Sequence, residues 1–141
     1  MEFALVLPIL LVVLFGILEF GKAFNYWIDE THLANIGARW AAVNKNPGSS
    51  SGSLQQYIRQ QANTPELRNG GTASVPGALQ VCISFPSGTS NVGEPVRVSV
   101  TTAYNWLPFL SNRIGVGTTT LTGTATMRLE ARPTVYSAGC A

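Results

Sequence analysis

The apolar and polar positions divide this chain near residue 24. From Phe3 to Leu18 no residue is charged, and Glu2 and Glu19 flank this run. At a helical rise of about 1.5 Å per residue, the run is about 24 Å long, and extension to Phe24 gives about 33 Å. Such a helix is long enough to cross a bilayer. The pattern therefore predicts that residues 1–24 form a half-helix for a membrane or for the core of an assembly.

Two other interpretations of the apolar run are less favoured. A cleaved signal peptide has a basic start and a small-residue cleavage site, but no Lys or Arg precedes Lys22 and no A-x-A motif closes the run. A buried core helix is not favoured either, because the rest of the chain is too small to enclose a helix that is apolar on every face. A simple one-pass anchor stays open.

The helical pattern continues to Asn46, so we predict a helix over about 2–45, with residues 25–46 as its amphipathic distal half. Residues 47–53 are a Ser/Gly linker. One stripe is predicted to pack on the globular domain: Leu33, Ile36, Trp40 and Val43. A second stripe is small and allows close approach of another helix, although alanine is also simply a good helix former: Ala34, Gly37, Ala38 and Ala41.

Pro8 lies inside the predicted helix. Proline removes one backbone hydrogen bond and clashes with the preceding turn, but membrane helices tolerate it. The sequence leaves two outcomes open, a gentle kink or a locally broken helix over residues 5–9.

Residues 54–141 are predicted to form a globular α+β domain. Ser53 can cap a short helix over 54–63, and residues 66–73 are expected to be a loop. Apolar residues then alternate with polar ones over 78–85, 95–104 and 118–130, which predicts an antiparallel sheet of three to four strands with one covered face. The distal half-helix and the short helix are the available cover.

The stretch Asn105–Leu110 is apolar but contains Pro108, which favours a loop over a strand. It is either a flap over the end of the core or a subunit contact through Trp106 and Phe109, because aromatic residues are favoured at interfaces.

Composition favours an exported structural protein. Charged residues are 11% of the chain and the net charge is +2 without a basic run, so nucleic acid is not an expected partner. The two cysteines, Cys82 and Cys140, are predicted to form a disulfide in an exported chain. Cys82 falls on the polar face of its strand, so this bond is expected to hold the C-terminal tail across the outside of the sheet.

Catalytic motifs are missing from the sequence. His32 is the one histidine, and it lies among polar helix neighbours. No nucleophile, zinc or phosphate motif occurs. We therefore expect no enzymatic activity, no cofactor, no metal and no small-molecule substrate. Whether the Ser49–Ser53 linker or the Thr118–Thr126 run carries O-linked sugar stays open.

The two flanking carboxylates need partners, because a charge in the bilayer centre costs about 2.5 to 3.5 kcal/mol. Glu19 has Lys22 three residues later on the same helical face. Glu2 has only the positive end of its own helix and nearby α-amino groups, and in a bundle of copies the amino terminus of a neighbour would neutralise it. This predicts that Glu2 sets the register between subunits, with Glu19 and Lys22 paired at the outer end of the core.

Three segments carry a family resemblance: Glu2–Pro8, Gly16–Ala23 and Ala34–Ala42. They resemble the TadE-like pilins and pseudopilins of tight-adherence (Tad) systems, in the type IV pilin superfamily. The resemblance implies a basic leader that a prepilin peptidase removes, whereas here Met1 alone precedes Glu2. It also implies an inner-membrane assembly platform with a cytoplasmic ATPase, and a role for Glu2 in subunit insertion.

The predicted function is that of a pilin: a structural subunit, first anchored in the inner membrane and later packed as a homopolymer in an extracellular filament for adhesion. The predicted filament core consists of Phe3, Leu5, Leu7, Pro8, Leu11, Leu14, Phe15 and Leu18. Two alternatives stay open. One is a minor pseudopilin that primes or caps such a filament, and the other is a membrane-tethered binding or adhesin module that does not polymerise.

Overall fold

A computed structural model describes residues 2–48, 52–108 and 117–141, without the side chains of Glu2, Ala4 and Leu5. The elements in chain order are α1 (Glu2–Ala42), α2 (Leu54–Gln60), α3 (Pro65–Asn69), β1 (Gln80–Ser84), β2 (Pro95–Asn105), β3 (Thr118–Arg128) and β4 (Gly139–Cys140). The chain is an α+β protein, which confirms the predicted fold class. We call everything after α1 the head.

Helix α1 is a single helix from Glu2 to Ala42 and continues through Pro8. The broken stretch that the sequence left open is thus not present in this chain. The helix ends three residues before the predicted bound because Asn44 adopts a positive φ of 51°. Residues after β3 then provide hydrogen-bond donors for the last carbonyl groups of the helix. The Tyr136 hydroxyl donates to the Ala41 oxygen, and the Glu130 N–H donates to the Ala42 oxygen.

The sheet has four strands in the order β3-β2-β1-β4, and every neighbouring pair is antiparallel. Strands β2 and β3 pair over their whole length, from Pro95 opposite Arg128 to Asn105 opposite Thr118. Their burial alternates as the sequence predicts, because one face is covered by α1 and the other meets solvent.

The small stripe of α1, for which the sequence left close approach of another helix open, contacts both the sheet and α2. Ala34, Ala38 and Ala41 are fully buried. A Cβ at Gly37 would lie 2.7 Å from Ile58 Cδ1, and a Cβ at Gly123 on β3 would overlap the backbone of Glu30. Small residues on both sides therefore let the helix backbone lie directly on the sheet.

The predicted packing stripe is only partly correct. Leu33 is buried at 1% exposure, whereas Ile36 is half-buried and Val43 is 46% exposed. Trp40 packs on the globular domain through α2 and not through the sheet, with its ring 5.0 Å from that of Tyr57. The buried face of α1 is rotated from the predicted one, because the helix packs on the sheet through the face on which its backbone can approach the strands most closely.

Two short helices precede the sheet, where the sequence predicted one. The Ser53 side chain accepts a hydrogen bond from the Gln56 N–H and forms a capping box, as expected, but α2 ends at Gln60. The prediction of a loop over 66–73 is wrong for its first part. Thr64 caps α3 and Pro65 stands in its first turn, so the Thr-Pro pair that ends one helix also starts the next.

The disulfide between Cys82 and Cys140 is present. Its position differs from the prediction, because the tail lies at the edge of the sheet and not across its outer face. Cys82 and Cys140 are direct cross-strand partners in β1 and β4. Ala141 and Val81 exchange two backbone hydrogen bonds, and Gln55 on α2 donates to the Ser137 oxygen at 3.0 Å. The tail is thereby fixed as the fourth strand.

Candidate assembly interface

The apolar half of α1 protrudes from the head. Every described large apolar side chain from Phe3 to Leu18 is at least 40% exposed, and α1 from Val6 onward is long and apolar enough to cross a membrane. Six of the predicted core residues are in this exposed set: Phe3, Leu7, Leu11, Leu14, Phe15 and Leu18. Pro8 is exposed as well, and the side chain of Leu5 lies outside the described part. Surface of this kind has to be covered by lipid or by other protein.

The side chain of Glu2 also lies outside the described residues. Its backbone is the first residue of α1, where a carboxylate benefits from the helix dipole. The role of Glu2 in setting the register thus stays a prediction.

Glu19 and Lys22 do not pair with each other, which corrects the sequence prediction. Tyr104 at the end of β2 donates its hydroxyl to Glu19 at 2.6 Å. Lys22 forms an ion pair with Glu66 on α3 at 3.5 Å. The head therefore supplies a separate partner for each charge, because α3 and the end of β2 both reach this level of the helix.

Tyr26 completes this group, which we call the junction cluster: Glu19, Lys22, Tyr26, Glu66 and Tyr104. The Tyr26 hydroxyl donates a hydrogen bond to Glu66, and the Lys22 ammonium lies 5.7 Å from the centre of the Tyr26 ring. The rings of Tyr26 and Tyr104 are 5.9 Å apart and meet edge to face. The cluster thus ties the head to the point where the apolar half begins.

Hydrogen bonding and burial shift the pKa values of the cluster residues in the head. The hydrogen bond from Tyr26, with the nearby Lys22, holds the pKa of the Glu66 carboxyl below its ordinary value of 4.5. Burial, followed by the hydrogen bond to Glu19, raises the pKa of the Tyr104 phenol. Tyr104 is therefore a donor at any physiological pH.

The sequence prediction missed three members of this cluster: Tyr26, Glu66 and Tyr104. A signal for two of them was available. Tyr26 stands four residues after Lys22, and thus on the same helical face. Tyr104 continues the covered positions Val96, Val98 and Val100 of β2. Glu66 carried no such signal because its segment was interpreted as a loop.

A different face of α1 at the same level carries aromatic residues. Phe20, Phe24 and Trp27 line an apolar groove of about 180 Å³ together with Ala23, Trp106 and Leu121. Trp106 thus lies at the base of the head beside α1, where the sequence left a flap or a subunit contact open, and Phe109 lies outside the described residues. The indole N–H of Trp106 donates to the Thr119 hydroxyl at 2.8 Å, which fixes the ring.

Two acidic residues of α1 face the head further along. Asp29 accepts hydrogen bonds from the backbone and the side-chain amide of Asn63, at 2.9 and 2.7 Å. Glu30 is fully buried, and neither of its carboxylate oxygens has a hydrogen-bond partner in the described part of the chain. This burial could not be expected from the sequence, because an acidic residue in a helix is usually solvated.

The fold and the protruding half-helix define a class of protein: an α+β head carried on an N-terminal helix that is suited to anchoring in a membrane. The comparison with protein families makes this more specific. Residues 1–39 match the TadE-like protein family, which confirms the resemblance predicted from the sequence. The match covers the apolar half and most of the distal half of α1. No curated protein and no solved structure matches the chain.

Proposed function

We propose that this protein is a structural, non-enzymatic subunit of a Tad pilus. Its apolar half-helix holds it in the inner membrane before assembly and then packs with the same segment of other copies inside a filament. The head faces outward and provides the filament surface for adhesion. A prepilin peptidase and an inner-membrane assembly platform are the partners that this function requires.

The observation that carries the proposal is the combination of the TadE-like match with the exposed apolar half of α1. Over about 25 Å of helix, apolar side chains point in all directions. Lipid covers such a surface, and so does a bundle of identical helices. When a subunit moves from lipid to a bundle of neighbouring copies, this apolar surface stays covered throughout. Head-to-tail contacts between subunits that do not close into a ring produce an open filament.

Glu2 determines the register in this proposal. A carboxylate inside a bundle of apolar helices is stable only beside a cation, and the amino terminus of the neighbouring subunit is the group that the sequence suggests. At 4 Å and an effective dielectric constant of 20, the attraction is about 4 kcal/mol. A subunit shifted along the filament axis loses this contact.

The test is filament assembly by a Glu2→Ala variant. We expect a strong loss of filaments sheared from the cell surface, while the membrane fraction keeps the subunit at normal level. Glu130→Ala is the matched control, because Glu130 is an exposed carboxylate on the head, and we expect it to assemble normally. Normal filament yield from Glu2→Ala would overturn the role of Glu2.

Imaging of purified filaments tests the subunit role itself. A major subunit is the dominant protein of the filament and its head repeats in a helical array. A priming or capping pseudopilin would instead be present in a few copies per filament. Filaments without this chain, with all of it in the membrane fraction as a monomer, would support a tethered binding module and overturn the filament proposal.

A further inference from the structure

Four aromatic side chains form a continuous surface where the head meets the apolar half of α1. We call this surface the aromatic collar: Phe20, Phe24, Trp27 and Trp106. The rings of Phe20 and Phe24 are stacked 6.5 Å apart, and those of Phe24 and Trp27 are 5.8 Å apart. The three α1 side chains are 45% to 65% exposed. Trp106 extends the surface from the helix onto the head, because it lines the same groove.

The collar lies one bilayer thickness from the start of the helix. At about 1.5 Å per residue, Phe20 is about 26 Å and Phe24 about 32 Å from Phe3 along the axis. The hydrocarbon core of a bilayer is about 30 Å thick. With Phe3 at one boundary of the hydrocarbon, the collar therefore lies at the other, where Trp and other aromatic side chains are enriched in membrane proteins.

Glu19 lies about 24 Å from Phe3 and thus just inside this boundary, but the head supplies a partner for each charge at this level. Glu19 is bonded by Tyr104, and Lys22 is paired with Glu66. Both head partners approach α1 from a face that does not carry the collar. The helix thus presents aromatic rings on one face, while on another face Glu19 accepts a hydrogen bond from the head and Lys22 forms an ion pair with it. This reduces the cost of bringing the head close to a membrane surface.

Trp106 is the informative member because it belongs to the head. Its ring packs edge to face on Tyr104 with the centres 5.0 Å apart, and its N–H is bonded to Thr119. Its orientation is therefore fixed by the head itself.

We propose that the aromatic collar is a phospholipid-binding surface, in which Trp106 and the three α1 rings lie at the boundary of headgroups and acyl chains. The head then rests on the membrane in a defined orientation before assembly. The occupant is lipid because the collar continues the apolar surface of α1 on a helical face that carries neither Glu19 nor Lys22, and because it lies at bilayer distance from the start of the helix. This inference rests on the membrane-anchored state of the proposed function.

The test measures the depth of single tryptophans in vesicles of phosphatidylethanolamine and phosphatidylglycerol. The chain has three tryptophans, and replacing two of them by Phe leaves Trp27, Trp106 or Trp40 as the reporter. Trp40 is the matched control, because it packs on Tyr57 about 20 Å further along α1 than Trp27. A fourth variant carries Leu11→Trp with all three native tryptophans replaced by Phe, and it reports insertion of the apolar half. Vesicles contain lipids brominated near the headgroup or in the middle of the acyl chain, at high lipid excess.

We expect Trp27 and Trp106 to lose about half of their emission with lipids brominated near the headgroup, and Trp40 to keep its emission. Leu11→Trp should be quenched by the mid-chain label. If Trp106 is as unquenched as Trp40 while Leu11→Trp is quenched, the helix is inserted but the collar does not bind lipid, and the inference is wrong. If no reporter is quenched, the membrane-anchored state is overturned and the collar inference with it.

Discussion

The Tyr104 hydroxyl lies 2.6 Å from a carboxylate oxygen of Glu19, although 85 residues separate the two in the chain. This hydrogen bond joins the end of a central strand to the outer end of the apolar half of α1. Glu19 is thereby hydrogen-bonded within its own subunit, while Lys22, its partner in the sequence prediction, pairs with Glu66. The head controls the charges at the boundary between the two halves of the helix.

Replacing Tyr104 by Phe tests this relationship. The ring packing on Tyr26 and Trp106 is retained, but Glu19 loses its donor. We expect the free energy of unfolding to fall by about 1.5 to 3 kcal/mol, the usual value for a hydrogen bond to a charged group. Denaturant unfolding in detergent micelles measures this. Tyr57→Phe is the control, because the Tyr57 ring packs on Trp40 at the far end of the head. Equal stability of the two variants would contradict the proposed contribution.

The lowered pKa of Glu66 predicts how stability depends on pH. Because the folded-state pKa lies below the ordinary value of 4.5, the ionised carboxylate stabilises the fold above pH 4.5, and this contribution is lost as the pH falls through the folded-state pKa. The first cause is the hydrogen bond from Tyr26. We therefore expect the unfolding midpoint of the native chain to fall more steeply between about pH 6 and about pH 3 than that of Tyr26→Phe. Glu66→Gln is the reference for a chain without this carboxylate. If the unfolding midpoints of the native chain and of Tyr26→Phe depended on pH in the same way, the hydrogen bond from Tyr26 would not be the cause of the lowered pKa of Glu66.

The buried Glu30 predicts a stabilising substitution. Its carboxyl group is removed from water without a donor among the described residues, and such burial is unfavourable. Glu30→Met keeps a side chain of similar length, so we expect it to raise the free energy of unfolding by about 1 to 3 kcal/mol at neutral pH. Thermal unfolding with Glu130→Met as the exposed control is the measurement. A destabilised Glu30→Met would show instead that the carboxyl group has a partner that the fold requires.

The contact between Gly123 and the backbone of Glu30 predicts strong sensitivity at a single glycine. A methyl group at Gly123 overlaps the helix backbone, which has no flexible end that can move away. We expect Gly123→Ala to lower the free energy of unfolding by about 1 to 3 kcal/mol, as overpacking in a core does. Gly77→Ala is the control, because a Cβ there meets no atom within 4 Å. If both variants were equally stable, the helix would lie further from β3 than the structure places it.

Much of this fold follows from local patterns in the sequence. The unbroken apolar run and the following helical period predict α1, and alternation over Val96, Val98 and Val100 predicts the covered face of β2. These signals are reliable because each repeats over many residues and reflects burial of a whole face. The disulfide also followed, since an exported chain with two cysteines has one pairing available.

The errors concern contacts that depend on distant residues. The helical pattern places Ile36 and Val43 on the same side as Leu33, but of these only Leu33 is buried, because Gly123 lets the neighbouring face of the helix lie against the sheet. The pairing of Glu19 with Lys22 seemed sufficient locally, whereas Tyr104 and Glu66 approach only after the head has folded. The sequence predicted a loop over 66–73, although Thr64 and Pro65 just before it are a good helix start. In each case the local sequence is compatible with more than one arrangement, and contacts with residues distant in the chain determine which one forms.

The way α1 lies along the sheet determines how the molecule responds to force. Glu19 meets Tyr104 at one end of β2, Gly37 lies beside Val98, and Ala42 bonds Glu130 beyond the end of β3. A pull on the protruding half of the helix is therefore carried as shear over the whole helix-sheet contact, and many contacts must give way together. The strand held by Cys82 and Cys140 lies on the far edge, outside the direct line of load. Such a subunit resists extension better than it resists peeling.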